Sequence, residues 1–321
     1  MKKRGIKIWV WGFLFLFSWG AIAIAADYPQ KPIRMIIPYA AGGGNDVLCR
    51  AFQPAFEKVL GQKILIDNIS AGTTKVGTME LMKAKPDGYT LIFSTTEAWL
   101  AYFYSKTYDF KAWEQMVPIG NVTSEPYGFV EARIESPFKT WADLVKASKE
   151  NPGKLTCGMP GAGGITELIQ AELDKGSGIQ TRYVPFAGFG PSKAALLGGH
   201  IDYRSCQPSH AIDMIRAGKT RGLAISTDTR MEIFPEIPTF KELGGSTIFA
   251  NRAIWGPPKL PANLINTLTK TIEKASKDPE FIKIGQHQLV SIVNYQPPET
   301  MKANLEKFDK EFGPRLAEMY K

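Results

Sequence analysis

Little in this chain suits it to covalent chemistry. Its three cysteines, Cys49, Cys157 and Cys206, are too few for a disulfide framework, and no CxxC pair occurs. Cys157 and Cys206 each close an apolar run and read as buried free thiols, although pairing between neighbouring strands stays open. The three histidines, His200, His210 and His287, have no metal-ligand spacing, and HExxH is missing. GxSxG is also missing, and Cys206 with His210 is a poor nucleophile pair. An exported hydrolase is therefore the weakest function class.

Nucleotide chemistry is equally thin. "AAGGGND" lacks the Lys-Ser/Thr pair of a P-loop. Neither it nor "GMPGAGGITE" fits GxGxxG, because Val47 and Thr166 stand where the last glycine belongs. No metal and no cofactor is expected. No block of five or six like charges exists, so nucleic acid is not an expected partner.

Long apolar runs are confined to the N-terminus. "MKKRGIK" followed by "IWVWGFLFLFSWGAIAIAA" has the basic, apolar and small-residue parts of a signal peptide. A retained membrane anchor is the other reading, but polar "DYPQKP" follows at once, so cleavage near Ala25/Ala26 and export to the periplasm are expected. Removing residues 1–26 leaves 35 basic and 31 acidic residues, which lowers the net charge from +8 to +4. That mild excess is compatible with a small acidic ligand.

What remains alternates between strand and helix signals. "PIRMIIPYA", "KILIDNI" and "YTLIFSTT" read as buried strands. Between them, "DVLCRAFQPAFEKVLG" places Val47, Leu48, Ala51, Phe52, Ala55, Phe56 and Val59 on one helical face, with Gly61 as its stop. The same layout returns at "KLTCGMPGAGGITELIQAEL", and the tail from "PANLINTL" onward reads as helical. Strands alternating with helices predict an α/β chain of mostly parallel sheets.

Two glycine turns, "PYAAGGGND" and "GMPGAGGITE", each fall between a strand and a helix, the edge where open α/β sheets bind ligands. Successive N–H groups and a helix N-terminus there make an anion site from backbone alone. Two such turns suggest a cleft between two units. Nearby polar residues leave alternatives open. Asn45 and Asp46 either cap a helix or meet a ligand. Ser94, Thr95 and Thr96 end a strand at the same edge. Arg204 is either an edge residue or a carboxylate clamp. Trp99, Tyr102, Tyr104, Phe186 and Phe189 are aromatic residues that an aromatic acid would need, or ordinary packing.

Several segments together resemble the tripartite tricarboxylate transporter substrate-binding (Bug or TctC-type) receptors. They are "YPQKPIRMIIPYAAGGGND", "LGQKILIDNISAG", "KAKPDGYTLIF", "CGMPGAGGITEL", "VPFAGFGPSKAALLGGHID", "IRAGKTRGLAIST", "FPEIPTFKELG" and "WGPPKLPANLINTL". The resemblance implies a monomeric two-lobe periplasmic binding protein of type II-like fold, with a ligand cleft between the lobes. It implies lobes of about 27–125 plus 250–321 and of 126–249. It also implies a small carboxylate ligand, aliphatic or aromatic, passed to a permease of one large and one small membrane subunit. A receptor that signals to a membrane sensor is the alternative partner reading. The implied contacts are Tyr39, Ala40, Gly43, Gly44, Asn45, Asp46, Ser94, Thr95 and Thr96 on one side. On the other they are Gly161, Ala162, Gly163, Gly164, Thr166 and Glu167, joined by Arg204 and Cys206. The chain departs from the family where Glu167 replaces a common His, Cys206 a common Asp, and Arg204 an apolar residue. Thr73, Thr74 and Lys75 also stand where glycine and asparagine are typical. Arg204 is the charged partner these exchanges suggest.

Overall fold

The computed structural model describes residues 28–321 apart from Thr73, Gly163 and Leu289. The expected leader, residues 1–26, lies outside the described residues. Among the described residues no helix is long and apolar enough to cross a membrane.

The chain opens with β1 (Ile33–Ile37), α1 (Gly44–Leu60), β2 (Ile64–Asn68), α2 (Lys75–Lys83), β3 (Thr90–Thr95) and α3 (Thr96–Tyr104). After α4 (Ala112–Gln115) come β4 (Val117–Pro126), β5 (Phe129–Arg133), α5 (Trp141–Glu150), β6 (Leu155–Met159) and α6 (Ile165–Ser177). Next are β7 (Thr181–Pro185), α7 (Phe189–Leu197), β8 (Tyr203–Cys206), α8 (Ile212–Arg216) and β9 (Thr220–Ile225). The last part holds β10 (Phe249–Gly256), α9 (Ala262–Ala275), α10 (Pro279–Lys283), β11 (Ile292–Gln296) and α11 (Pro298–Met319).

Two sheets form, ordered β11-β4-β10-β3-β1-β2 and β7-β6-β8-β5-β9. Both are mixed rather than mostly parallel. β1, β2 and β3 are parallel, as are β6, β7 and β8. β10 runs antiparallel between β3 and β4, and β5 runs antiparallel between β8 and β9. The expected parallel units are therefore present, and each is extended by antiparallel strands. Helices flank both sheets, giving the two-lobe architecture.

The chain passes between the sheets at 126–129 and again between β9 and β10. These passages are tied together. Tyr127 N–H donates to the Ile248 carbonyl at 2.8 Å, and Ser226 N–H to the Gly128 carbonyl at 2.8 Å.

Helix α1 shows how packing sets the detail. Leu48, Phe52, Ala55, Phe56 and Leu60 are buried, whereas Val47 is 39% exposed. The apolar stripe is rotated from the one expected, because Asn45 and Asp46 turn inward. Gly61 ends the helix at φ +75°, as its sequence position predicts. Cys49, Cys157 and Cys206 are all buried and unpaired. Cys157 and Cys206 lie on neighbouring strands, but the register sets Cys157 opposite Tyr203.

Candidate functional site

Four strands of the two parallel units, β1, β3, β6 and β7, each lead into a helix, β3 directly and the others through a turn. Those helices are α1, α3, α6 and α7, with Gly43, Thr95, Gly164 and Gly188 as N-caps. None of these starts receives a side-chain cap, and all four cap residues line one cavity of about 620 Å³. An uncapped start leaves backbone N–H groups for a guest and carries about half a positive charge. Their convergence makes the cavity an anion cradle built from main chain.

The cavity is also lined by Tyr39, Ala40, Gly44, Asn45, Gly161, Ala162, Thr166 and Glu167, eight further residues that the sequence singled out. Asn45 Nδ2 donates to Thr95 Oγ1 at 3.1 Å, which joins the first turn of α1 to the start of α3. Gly163 falls outside the described residues.

Five expected contacts are placed elsewhere. Asp46 folds back on its own loop, where its carboxylate accepts the Gly42 N–H at 2.8 Å, Arg50 Nε at 3.0 Å and Asn68 Nδ2 at 3.0 Å. Burial opposes ionisation of Asp46, but the bonds from Arg50, Gly42 and Asn68 outweigh it, so its pKa is lowered. Its role is to close the glycine loop. Ser94 and Thr96 are buried beside the cavity without lining it. Ser94 Oγ lies 3.4 Å from the Tyr39 hydroxyl.

The reading of Arg204 as a clamp is corrected. The antiparallel β5–β8 register sets Arg204 directly across from Glu131, and the two fully buried groups form an ion pair. Its remaining donors hold the Phe189 carbonyl at 3.0 Å and the His210 carbonyl at 2.8 Å. Arg204 is thus a positioning residue beneath the site. Cys206 is fully buried too, with its thiol 3.9 Å from Glu131 Oε1 and away from the cavity.

The sequence reading missed Arg252. It stands on β10, is 2% exposed, and lines the cavity. Its Nη2 lies 2.5 Å from Glu125 Oε2 and donates to Gln207 Oε1 at 3.2 Å. Its Nε and Nη1 are buried with no hydrogen-bond partner among the described residues. A β-carbon at Gly44 would sit 3.5 Å from Arg252 Nη2 and 3.7 Å from the His210 ring, so the start of α1 meets both. The clue that drew attention to Arg204, an arginine inside a strand-like run, is equally present in "FANRAIWG".

His210 closes a short turn, Pro208–His210, and its ring stacks on Phe189 at 3.9 Å. Burial, then the nearby Arg252 and Arg204, lower its pKa to about 3, so it is a neutral wall at physiological pH. Tyr102 and Phe189 line the cavity, as do Tyr127 and Tyr320. Trp99 packs edge-on against Trp255 at 5.3 Å in the core, and Tyr104 donates to Asp309 at 2.5 Å. Phe186 packs against the small cluster of Ala195, Leu196 and Ile201.

A cavity between two α/β sheets, walled by uncapped helix starts and served by one buried guanidinium, defines a two-lobe ligand-binding protein. Comparison with known proteins agrees. The chain belongs to the tripartite tricarboxylate transporter family of receptors (TctC), whose family model matches residues 48–313. It is 33% identical over 267 residues to an Agrobacterium vitis UPF0065 protein from the ttuE-ttuC' intergenic region, covering 82% of this chain and 76% of that one. The periplasmic binding protein BugD superposes with a TM-score of 0.76 at 26% identity, covering 91% of this chain and 97% of that chain. MatC from Rhodopseudomonas palustris, solved with malate, shares the fold with a TM-score of 0.74 at 24% identity, covering 92% of this chain and 100% of MatC.

Proposed function

We propose that this chain is a periplasmic receptor that captures a small mono- or dicarboxylate and hands it to a tripartite tricarboxylate-type permease. Its lobes would be residues 27–125 with 250–321, and residues 126–249, closing on the ligand as one unit. The leader would be removed near Ala25/Ala26 on export. The observation that carries the reading is Arg252. Two of its guanidinium nitrogens are buried without a partner among the described residues, at a cavity where four uncapped helix starts meet. An unsatisfied buried donor is costly, and a carboxylate repays that cost with charge-assisted bonds. The receptor character of the family supports binding in place of turnover.

The binding residues in this reading are Arg252, the helix starts at Gly43–Asn45, Thr95, Gly164–Glu167 and Gly188–Phe189, and the Tyr39 and Gly161–Ala162 backbones. Thermal-shift screening of aliphatic and aromatic acids tests it, since a tight ligand raises the melting point by mass action. Stabilisation by sugars or amines, with none by any carboxylate, would overturn it. A double variant, Arg252→Met with Glu125→Gln, removes the charge without stranding a lone carboxylate. It should cost about 2–5 kcal/mol of acid binding by calorimetry. Mass spectrometry of the compound retained through purification would name the ligand.

A further inference from the structure

Charge is distributed unevenly among the four helix starts. α1 has Asp46 in its first turn, α3 has Glu97 and α6 has Glu167, whereas α7 has no acid there. An ionised acid in the first turn offsets the positive helix end, though only in part at α3, where burial pushes the Glu97 pKa up to about 7. The start of α7 therefore keeps its field, and it lies where Phe189 stacks on His210, whose ring adjoins the same glycine as Arg252. Among the described residues lining the cavity, Arg252 is the sole cation and Glu167 the sole carboxylate. Glu125 offsets part of the Arg252 charge from behind. One end of the cavity is thus electropositive, and the α6 end is not.

The lining is rich in aromatic side chains, among them Tyr39, Tyr102, Tyr127 and Phe189. A volume of about 620 Å³ accommodates a ring with room for substituents. Planar faces reward an aromatic guest beyond the area they bury.

Resting on the carboxylate reading above, we infer that the preferred ligand is an aromatic monocarboxylate. Its carboxylate lies at the Arg252 and α7 end, its ring between the tyrosine and phenylalanine faces, and an uncharged donor group at the Glu167 end. A dicarboxylate of the same length sets its second charge against Glu167, a like-charge contact that disfavours it.

Isothermal titration with four probes tests this: 4-hydroxybenzoate, terephthalate, hexanoate and adipate. The expected result is a Kd for 4-hydroxybenzoate at least tenfold below each of the others. Terephthalate or adipate binding as tightly or more tightly overturns the single-pole assignment while leaving the carboxylate reading standing. Hexanoate matching 4-hydroxybenzoate overturns the aromatic assignment. Silence from all four also overturns the inference, and the broader acid screen then decides the parent reading separately. In Glu167→Gln, the ratio of the terephthalate to the 4-hydroxybenzoate Kd should fall at least fivefold. A purely structural role for Glu167 would shift both constants together and leave that ratio unchanged, which counts against the inference.

Discussion

Arg204 and Arg252 are both buried, and each meets one buried carboxylate. They differ in what is left over. Arg204 spends its other nitrogens on the Phe189 and His210 carbonyls, so it fixes the two rings that wall the cavity. Arg252 keeps Nε and Nη1 unpaired among the described residues. Burial alone does not separate the two roles; the cross-strand partner does. Sequence reading singled out Arg204 because Glu131 becomes its neighbour only through the β5–β8 register, 73 residues away in the chain. Arg204→Met should destabilise the protein by about 3–5 kcal/mol, because it leaves the Glu131 carboxylate buried and alone. Chemical denaturation checks this, and adding Glu131→Leu should recover most of the loss. A single variant as stable as the parent would show that the pair is not a structural anchor.

At the scale of elements, the glycine turns were legible, since glycine between an apolar strand and an amphipathic helix leaves few alternatives. β10 and β11 were not. β10 falls in the stretch before the helical tail, to which no element was assigned, and β11 lies inside that tail, where it is a strand because β4 offers it an edge. Missing β10 meant missing Arg252. The entry to α7 carries a strict backbone requirement. Gly188 adopts φ +110° and ψ −177°, a region essentially closed to residues with a β-carbon. Gly188→Ala should cost about 1–3 kcal/mol and weaken acid binding, because relieving the strain moves Phe189. Parallel melting and titration experiments read both effects, and a variant equal to the parent in each would remove the turn from the site's design.

For the molecule as a whole, pH dependence should follow one buried acid closely. Glu97 accepts the Asn251 N–H at 2.8 Å and Asn251 Nδ2 at 2.5 Å, and burial is the main cause pushing its pKa up to about 7. The unfolded chain releases this proton near 4.5, so between those values the folded form binds more protons. Stability from this group is full below the lower value and is lost as pH rises through the upper one. The loss is on the order of 3 kcal/mol. Asp174, pushed up to about 6 chiefly by burial, acts in the same direction. Denaturation of the parent and of Glu97→Gln at pH 5 and pH 8 isolates the Glu97 share. The variant should lose much of the drop, and equal slopes would refute the assignment.

The convergence of four uncapped helices has a consequence for how such receptors diversify. Hydrogen-bond donors that belong to the main chain outlast most side-chain replacements, so in the proposed reading the share of the grip supplied by helix starts is insulated from mutation, whereas the share supplied by Arg252 is exposed to it. The residues lining the remainder of the cavity are then free to drift toward new guests. On that reading, divergence around the site measures change in what the acid is attached to more than change in whether an acid is held.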